Sequence, residues 1–178
     1  MSKIVGHRSL RVLAVDPGTR GFGYAVLEAP ARLVEWGTKE IRQDKERVAL
    51  RKIEELLGRY APSVLVVEDC GHPRSRRNDR IAWLTEQMLD VAVSCGVAGC
   101  AVSRAAVYRN FAKAGARTKH EIASVLACKF PVLALRLPPK RKAWQPEDYR
   151  MGIFDAAAFG LTYLDRRRKP AKRPAYSA

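Results

Sequence analysis

The chain has 178 residues, and its 33 Lys and Arg outnumber its 18 Asp and Glu, so its formal net charge is +15. This length favours one domain, and a hydrophobic content of 47% suffices for a core, which excludes a fibrous or wholly disordered chain. The sequence lacks an apolar run near the roughly 20 residues of a membrane span, and charges interrupt its N-terminal apolar stretch. We therefore expect a cytoplasmic or nucleoid-associated protein that does not enter a membrane.

The positive charge extends over the whole chain and is densest at its end. Residues 166–178 carry six basic residues and no acid, and we predict a disordered basic tail there, after one domain at 1–165. Without this tail the charge is still 15 − 6 = +9. Such a charge favours nucleic acid as the partner, with an anionic lipid surface or a ribosomal role as the alternative. The four cysteines form no CxxC pair and are predicted to be free buried thiols.

The first half of the chain predicts three strands, a helix and a fourth strand. Alternating apolar residues, interrupted by the turn Pro17-Gly18, predict strands at 11–16, 21–28 and 31–38 that form a meander. An apolar stripe with helical spacing predicts a helix at 44–59. The continuous apolar run at 63–69 is typical of a strand that is buried on both faces.

The second half alternates helices with a short strand. The predicted elements are a helix at 78–94, a strand at 96–103, a helix at 118–128, a Pro-rich basic loop at 131–143 and a helix at 147–164. Apolar residues cover more than one face of the helix at 78–94, which indicates contact with a partner subunit. The order of elements predicts an α/β fold with helices packed against a sheet.

Basic residues cluster between the apolar segments, where loops are expected. Any single cluster is as consistent with a solvated surface as with a binding site, but several clusters together favour nucleic-acid binding. The residues predicted to bind nucleic acid are Arg74, Arg76, Arg77, Arg80, Arg109, Lys113, Arg117 and Lys119.

Three acidic residues lie in apolar surroundings: Asp16 and Glu68 end predicted strands, and Asp155 lies in the last helix. An ionised carboxylate beside a core needs a cation or hydrogen bonds to replace water. If the three converge, their oxygens would suit Mg²⁺ or Mn²⁺, and two such ions about 4 Å apart can promote phosphodiester hydrolysis. The structural alternatives are a turn residue for Asp16, a helix cap for Glu68, and an ion pair with Arg150 or Arg109 for Asp155.

Four sequence runs carry a resemblance to a known family: VLAVDPGTRGFGYAVLE, VLVVEDC, TKHEIASVL and FDAAAFGLTYL. Together they resemble the RuvC-like Holliday-junction resolvases of the RNase H-like superfamily over roughly residues 11 to 164. The resemblance implies a five-stranded mixed sheet, with three antiparallel strands first, flanked by helices. It also implies a metal-dependent endonuclease that cleaves branched DNA as a homodimer, with Asp16, Glu68 and Asp155 as catalytic metal ligands and Lys119 near the scissile phosphate.

The sequence departs from the family pattern at two places. The family has an Asp or His three residues before its last catalytic Asp, and this chain has Gly152 there. Asp148 lies two helical turns before Asp155 and is a candidate fourth metal ligand, although it would also be favourable as an acid at a helix N-terminus. The family often has a large apolar residue after the fourth strand that can insert into a junction, and this chain has Gly71-His72-Pro73.

These departures keep other functions open. Related RNase H-like nucleases act on precursor ribosomal RNA. Because Gly152 stands where the family has a metal ligand, the chain could also be a nucleic-acid-binding module that has lost catalysis. Asp16-Pro-Gly-Thr19 also resembles the first phosphate loop of actin-like and sugar-kinase ATPases. Those ATPases need two such domains to enclose a nucleotide, and this chain has no second Asp-x-Gly-Thr copy.

Overall fold

The structure is a computed structural model that describes residues 9–73, 75 and 77–168. Five strands form one mixed sheet in the order β3-β2-β1-β4-β5. The strands are β1 (Arg11–Gly18), β2 (Gly21–Glu28), β3 (Arg32–Glu40), β4 (Val64–Glu68) and β5 (Ala98–Val102). The first three pair antiparallel, and β4 and β5 continue the sheet parallel to β1. The predicted α/β fold, with three antiparallel strands first, is confirmed.

Five helices cover the two faces of this sheet. They are α1 (Lys45–Tyr60), α2 (Asp79–Ser94), α3 (Arg104–Phe111), α4 (Lys119–Lys129) and α5 (Met151–Arg168), with 3₁₀ turns at Ala112–Ala114 and Pro131–Arg136. One hydrophobic core lies between the sheet and α1 with α2, and the other lies between the sheet and α3, α4 and α5. No helix in the described part of the chain is long and apolar enough to span a bilayer.

The side-chain alternation of β1 assigns its residues to these two cores. Leu13 and Val15 pack on the side of α1 and α2, whereas Val12 and Ala14 pack on the side of α5. Successive side chains of a strand point to opposite faces, so Asp16 continues the α5 side at the end of the strand. The carboxylate thus lies at the end of a core face, next to the helix that carries Asp155.

Helix α5 approaches the sheet closely because glycines line the contact. A Cβ atom on Gly23 of β2 would lie 2.2 Å from the carbonyl carbon of Gly152, so the two main chains are in direct contact there. Two turns further along the helix, a Cβ atom on Gly160 would lie 2.4 Å from Leu27 Cδ1. The helix therefore crosses β1 and β2 at short range, which brings Asp155 to the end of β1.

Four details differ from the sequence prediction. Strand β1 continues through Pro17 to Gly18, where a turn was predicted, because both residues still pair with β2. Helix α5 begins at Met151 instead of residue 147, and it continues to Arg168, so residues 166–168 of the predicted tail extend this helix. Residues 169–178 lie outside the described part. Helix α3 was not predicted; Ser103 caps it, with its side chain accepting a hydrogen bond from the backbone N–H of Ala106.

The cysteines also correct one expectation. All four are free thiols, as predicted, but Cys95 and Cys128 are exposed, and Cys70 and Cys100 are half-buried. Cys95 is the C-terminal cap of α2 and Cys128 lies in the last turn of α4. Helix ends are solvated, so the apolar neighbours of these cysteines in sequence did not indicate burial.

Candidate active site

The three predicted acids meet at one edge of the sheet. The parallel register pairs Ala14 with Val66, which places Asp16 level with Glu68, and it pairs Glu68 with Val102 of β5. Because carboxyl ends of parallel strands lie at the same edge of a sheet, Asp16 and Glu68 are neighbours, and α5 adds Asp155 from above. Asp16, Glu68 and Asp155 are only 7%, 3% and 7% exposed.

Arg104, the first residue of α3, contacts all three acids. Its Nη2 and Nε donate hydrogen bonds to the two oxygens of Glu68, at 2.9 and 3.1 Å, and its Nη1 donates one to Asp155 Oδ1 at 2.9 Å. Arg104 Nη2 also lies 3.8 Å from Asp16 Oδ1. This guanidinium is therefore the centre around which the three carboxylates are arranged.

Two further cations complete the cluster. Arg77, in the segment between β4 and α2, donates a hydrogen bond from Nε to Glu68 Oε2 at 2.7 Å and a short one from Nη2 to Asp16. Lys119 Nζ, at the start of α4, lies 2.9 Å from Asp155 Oδ2 and 2.7 Å from Glu147 Oε1. Three buried acids are thus balanced by three cationic side chains, with Glu147 at the exposed rim.

The arrangement separates the proton affinities of the three acids. Burial, opposed by the charge of Arg77 and reinforced by repulsion from Asp155, raises the pKa of Asp16 to about 7. Burial also acts to raise the pKa of Glu68 and of Asp155. For Glu68, hydrogen bonds and charge from Arg104 and Arg77 outweigh burial and hold its pKa below the ordinary value. For Asp155, Arg104 and Lys119 have the same effect on the pKa. Asp16 is therefore the acid that is least well compensated by its cations.

The donor set of the site suits a hard divalent cation. Carboxylate oxygens are the preferred ligands of Mg²⁺ and Mn²⁺, and the space between Asp16 and Glu68 already accepts a cation in the form of the Arg77 guanidinium. With the arginines in these positions, no group of three His, Cys, Asp or Glu within the described ranges forms a metal site by itself. The acids fit a metal ion on the condition that Arg77 moves aside.

The candidate fourth ligand has a different environment. Asp148 precedes α5, which begins only at Met151, so the helical spacing that would align it with Asp155 does not apply. Its Oδ1 accepts hydrogen bonds from the backbone N–H and Nε of Arg150, and its Oδ2 accepts one from Arg150 Nη2. Gly152 does border the site, because a Cβ atom there would lie 3.6 Å from Asp16 Oδ2.

The six predicted nucleic-acid-binding residues that the structure describes fall into three groups. Arg109, Lys113 and Arg117 are exposed on α3 and on the segment that leads to α4, whereas Arg77 and Lys119 are turned toward the acids. Arg80 is exposed and pairs with Glu46 of α1. Arg74 and Arg76 lie outside the described residues.

Sequence reasoning did not identify Arg104, Glu147 or the ion pairs of Arg77 as parts of the site. Arg104 did carry a signal: it follows the predicted strand at 96–103 directly, and a residue after a parallel strand lies at the same sheet edge as Asp16 and Glu68. Glu147 lies in an irregular segment that only the three-dimensional fold brings to Lys119.

Comparison with known proteins gives structural matches only. No protein-family model and no curated protein sequence matches this chain. RuvC of Thermus thermophilus is 24% identical, with 88% of this chain and 95% of that chain covered and a TM-score of 0.62. The same protein in complex with a Holliday junction substrate is 23% identical, with 89% of this chain and 95% of that chain covered and a TM-score of 0.61. The resolvase of Fowlpox virus in complex with substrate Holliday junction DNA is 16% identical, with 87% of this chain and 99% of that chain covered and a TM-score of 0.56.

These matches confirm the fold that the sequence resemblance implied. The chain has the RNase H-like fold of the RuvC-like resolvases along nearly its whole described length. At these identities the similarity establishes the fold, and the chemistry has to be argued from the residues of the site.

Proposed function

We propose that this protein is a divalent-metal-dependent endonuclease that cleaves branched DNA such as Holliday junctions. The observation that carries the proposal is the convergence of Asp16, Glu68 and Asp155 at one edge of this sheet. Burying three acids together costs free energy that a bound cation would offset, and such clusters are typical of functional sites. Two structural neighbours are complexes with Holliday junction DNA. A DNA substrate agrees with the net charge of +15 and with the expected cytoplasmic or nucleoid location.

In this proposal Asp16, Glu68 and Asp155 hold Mg²⁺ or Mn²⁺. When bound, the metal lowers the pKa of water and stabilises the leaving oxygen of the phosphodiester. Lys119 supplies a cation at the open side of the site, where its 30% exposed side chain can contact a non-bridging phosphate oxygen. Glu147 and Asp155 orient the ammonium group by accepting its hydrogen bonds.

The exposed residues Arg109, Lys113 and Arg117 would bind phosphates on either side of the cleaved bond. Their position beside α4 connects them to Lys119, so the DNA backbone could pass from these residues into the site. Because these contacts recognise phosphate and not bases, they would position a branched substrate without selecting its sequence.

A symmetric dimer would allow two strands of a junction to be cut together. Helix α2 supports this assembly, because Trp83 and Val93 on its outer surface are 47% and 66% exposed. Sedimentation velocity of the purified chain tests the dimer, and a Trp83→Glu substitution should shift it toward the monomer.

The decisive experiment compares Mg²⁺-dependent cleavage of a labelled four-way junction with that of matched duplex DNA and structured RNA. Preferential cleavage of the junction, lost in Asp16→Asn, supports the proposal. Preferential cleavage of RNA would instead support the ribosomal-RNA alternative. Tight junction binding without cleavage by any metal would support a binding module, for which Gly152 and the arginines among the acids are the specific observations.

A further inference from the structure

We propose that this site binds one divalent ion instead of two, because the Arg104 guanidinium occupies the place of a second cation. The inference rests on the proposed nuclease function and specifies its metal content. It is carried by three features of the structure: the way Arg104 is held, the charge balance of the acids, and the different attachment of Arg77.

Arg104 is held on rigid parts of the fold. It begins α3 immediately after β5, and Ser103 caps that helix. Its guanidinium carbon lies 5.2 Å from the centre of the ring of Phe159, which is fully buried in α5. A guanidinium that stacks on a buried ring and donates three hydrogen bonds to two acids has little freedom to leave.

The charges of the site leave room for one divalent ion. When all three acids are ionised, as metal binding requires, they carry −3, and Arg104 contacts each of them, so the charge is −3 + 1 = −2. Lys119 does not change this sum, because Glu147 pairs with it at 2.7 Å. A charge of −2 is neutralised by one Mg²⁺ or Mn²⁺, and a second ion would leave the buried site with an uncompensated +2.

Position 152 agrees with this balance. A carboxylate there would lie beside Asp16, since a Cβ atom would be 3.6 Å from Asp16 Oδ2, and it would restore one negative charge. The chain has glycine at that position and a guanidinium among the acids. Both features lower the negative charge that a second ion would need.

Arg77 differs from Arg104 in its attachment. It lies in the irregular segment between β4 and α2, and its guanidinium contacts Asp16 and Glu68 without reaching Asp155 in the described contacts. We infer that the ion replaces the Arg77 guanidinium between these two acids, and that Arg77 then becomes available to DNA phosphate. Metal and Arg77 would therefore compete for the same oxygens.

The test is a Mn²⁺ titration of the full chain, with free Mn²⁺ followed by electron paramagnetic resonance. The expected result is one ion bound per chain. Arg77→Gln should tighten binding about ten-fold, because it removes the competing cation. Arg80→Gln is the matched control: it removes the same charge from the first turn of α2, from a side chain that pairs with Glu46, and should change the affinity less than about two-fold.

Arg104→Gln should raise the number of bound ions from one to two, and Arg104→Lys, which keeps the charge, should bind one. Circular dichroism checks that each variant is folded, and the count for the unsubstituted chain stands even if Arg104→Gln does not fold. Two ions of similar affinity in the unsubstituted chain would overturn the inference, as would equal affinity in Arg77→Gln and Arg80→Gln.

The two proposals fail in different ways. Two bound ions together with Mg²⁺-dependent junction cleavage would overturn the single-ion inference and leave the nuclease function standing. No Mn²⁺ binding in either the unsubstituted chain or Arg77→Gln would overturn the inference, and the absence of cleavage with any metal would then reject the nuclease function separately.

Discussion

The two ends of strand β1 both bury carboxylates against arginines, but their charges are balanced differently. At the first end Glu28 accepts hydrogen bonds from Arg11, at 2.8 and 2.6 Å, and from Arg32. One acid there has two cations, and hydrogen bonds from Arg32 and Arg11 hold the pKa of Glu28 below its ordinary value. About 17 Å along the strand, three acids share their cations, and Asp16 has its pKa raised to about 7.

This difference distinguishes the proposed site from an ordinary buried ion pair. An ion pair between a buried acid and an arginine occurs at both ends and is by itself no sign of catalysis. The end that we propose as the active site is the one where several acids converge, so that burial and repulsion raise the pKa of one of them. Cationic side chains offset the repulsion between these acids, and a metal ion could take the place of one of them.

The largest expected difference between the two ends is in catalysis. Asp16→Asn, Glu68→Gln and Asp155→Asn should each reduce junction cleavage on the order of 10³-fold or more, because each removes the charge of a proposed metal ligand at nearly constant volume. Glu28→Gln removes the same charge at the other end and should leave the rate within about two-fold. Single-turnover cleavage at saturating Mg²⁺ measures both, and near-normal turnover in any of the first three would remove that residue from the site.

The next difference concerns the exposed cations. The logarithm of junction affinity should fall linearly with the logarithm of salt concentration, with a slope of about 5 to 10 released counterions. Replacing Arg109, Lys113 and Arg117 by alanine should lower the slope by about 0.9 for each lost phosphate contact. Arg32→Ala, at the Glu28 end, should leave it unchanged. A slope near zero for the unsubstituted chain contradicts the electrostatic interpretation of its charge.

A smaller effect is expected on stability at the Glu28 end. Glu28→Gln should lower the free energy of unfolding by about 1–2 kcal/mol, because it weakens charge-assisted hydrogen bonds from partners that remain partly solvated. Urea unfolding followed by circular dichroism measures this value. An unchanged midpoint would mean that water replaces the arginine contacts without cost.

The pH dependence of stability should also differ between the ends. With the folded pKa of Asp16 at about 7 and an ordinary value of 3.8, the unfolded chain loses this proton first, so stability falls as pH rises between these values. Asp16→Asn removes this pH-dependent loss of stability. The melting temperature of the variant minus that of the unsubstituted chain should therefore increase by a few degrees between pH 5 and pH 8.

The matched comparison is Glu28, whose pKa is lowered in the folded chain. Its contribution to the free energy of unfolding is therefore complete above about pH 4.5 and is lost only in more acid solution. The difference in melting temperature caused by Glu28→Gln should therefore stay constant from pH 5 to pH 8. Thermal melts in EDTA measure both variants, and parallel curves for the two would contradict the raised pKa of Asp16.

The smallest effect is expected at Asp148. Its carboxylate is already bound by Arg150 and precedes α5, so Asp148→Asn should change the Mg²⁺ concentration for half-maximal cleavage less than about two-fold. A large increase in that concentration would instead assign Asp148 to the metal and extend the group of acids at this end of the strand.

The parts of the site that local patterns determine could be predicted. Strand alternation places Asp16 and Glu68 at strand ends, and the apolar run at 154–164 identifies the helix of Asp155. The start of α5 could not be predicted, because Pro146, Glu147 and Asp148 are good helix-start residues. Asp148 instead binds the Arg150 side chain and backbone, and the helix begins where Gly152 can approach Gly23.

The cations of the site could not be read from composition. Arg104 and Arg77 lie in basic stretches that also contain the exposed residues Arg80, Arg109 and Arg117. What distinguishes Arg104 and Arg77 is the parallel pairing of β1, β4 and β5. That pairing joins segments far apart in sequence: Val12 pairs with Val64, 64 − 12 = 52 positions away, and Val64 pairs with Ala98, 98 − 64 = 34 positions away. A local pattern carries no information about which of several arginines the sheet will bring to its acids.

The contact between Gly23 and Gly152 has a consequence for the precision of the site. Gly23 is paired with Asp16 in the sheet, and Gly152 lies one helical turn before Asp155. Main chain rests directly on main chain at this point, so no side chain lies between the two elements that could change rotamer, expand on warming or repack after a mutation. The distance between the main chains that carry the two carboxylates is thereby set by backbone contact, and substitutions elsewhere in the core should alter stability before they alter this distance.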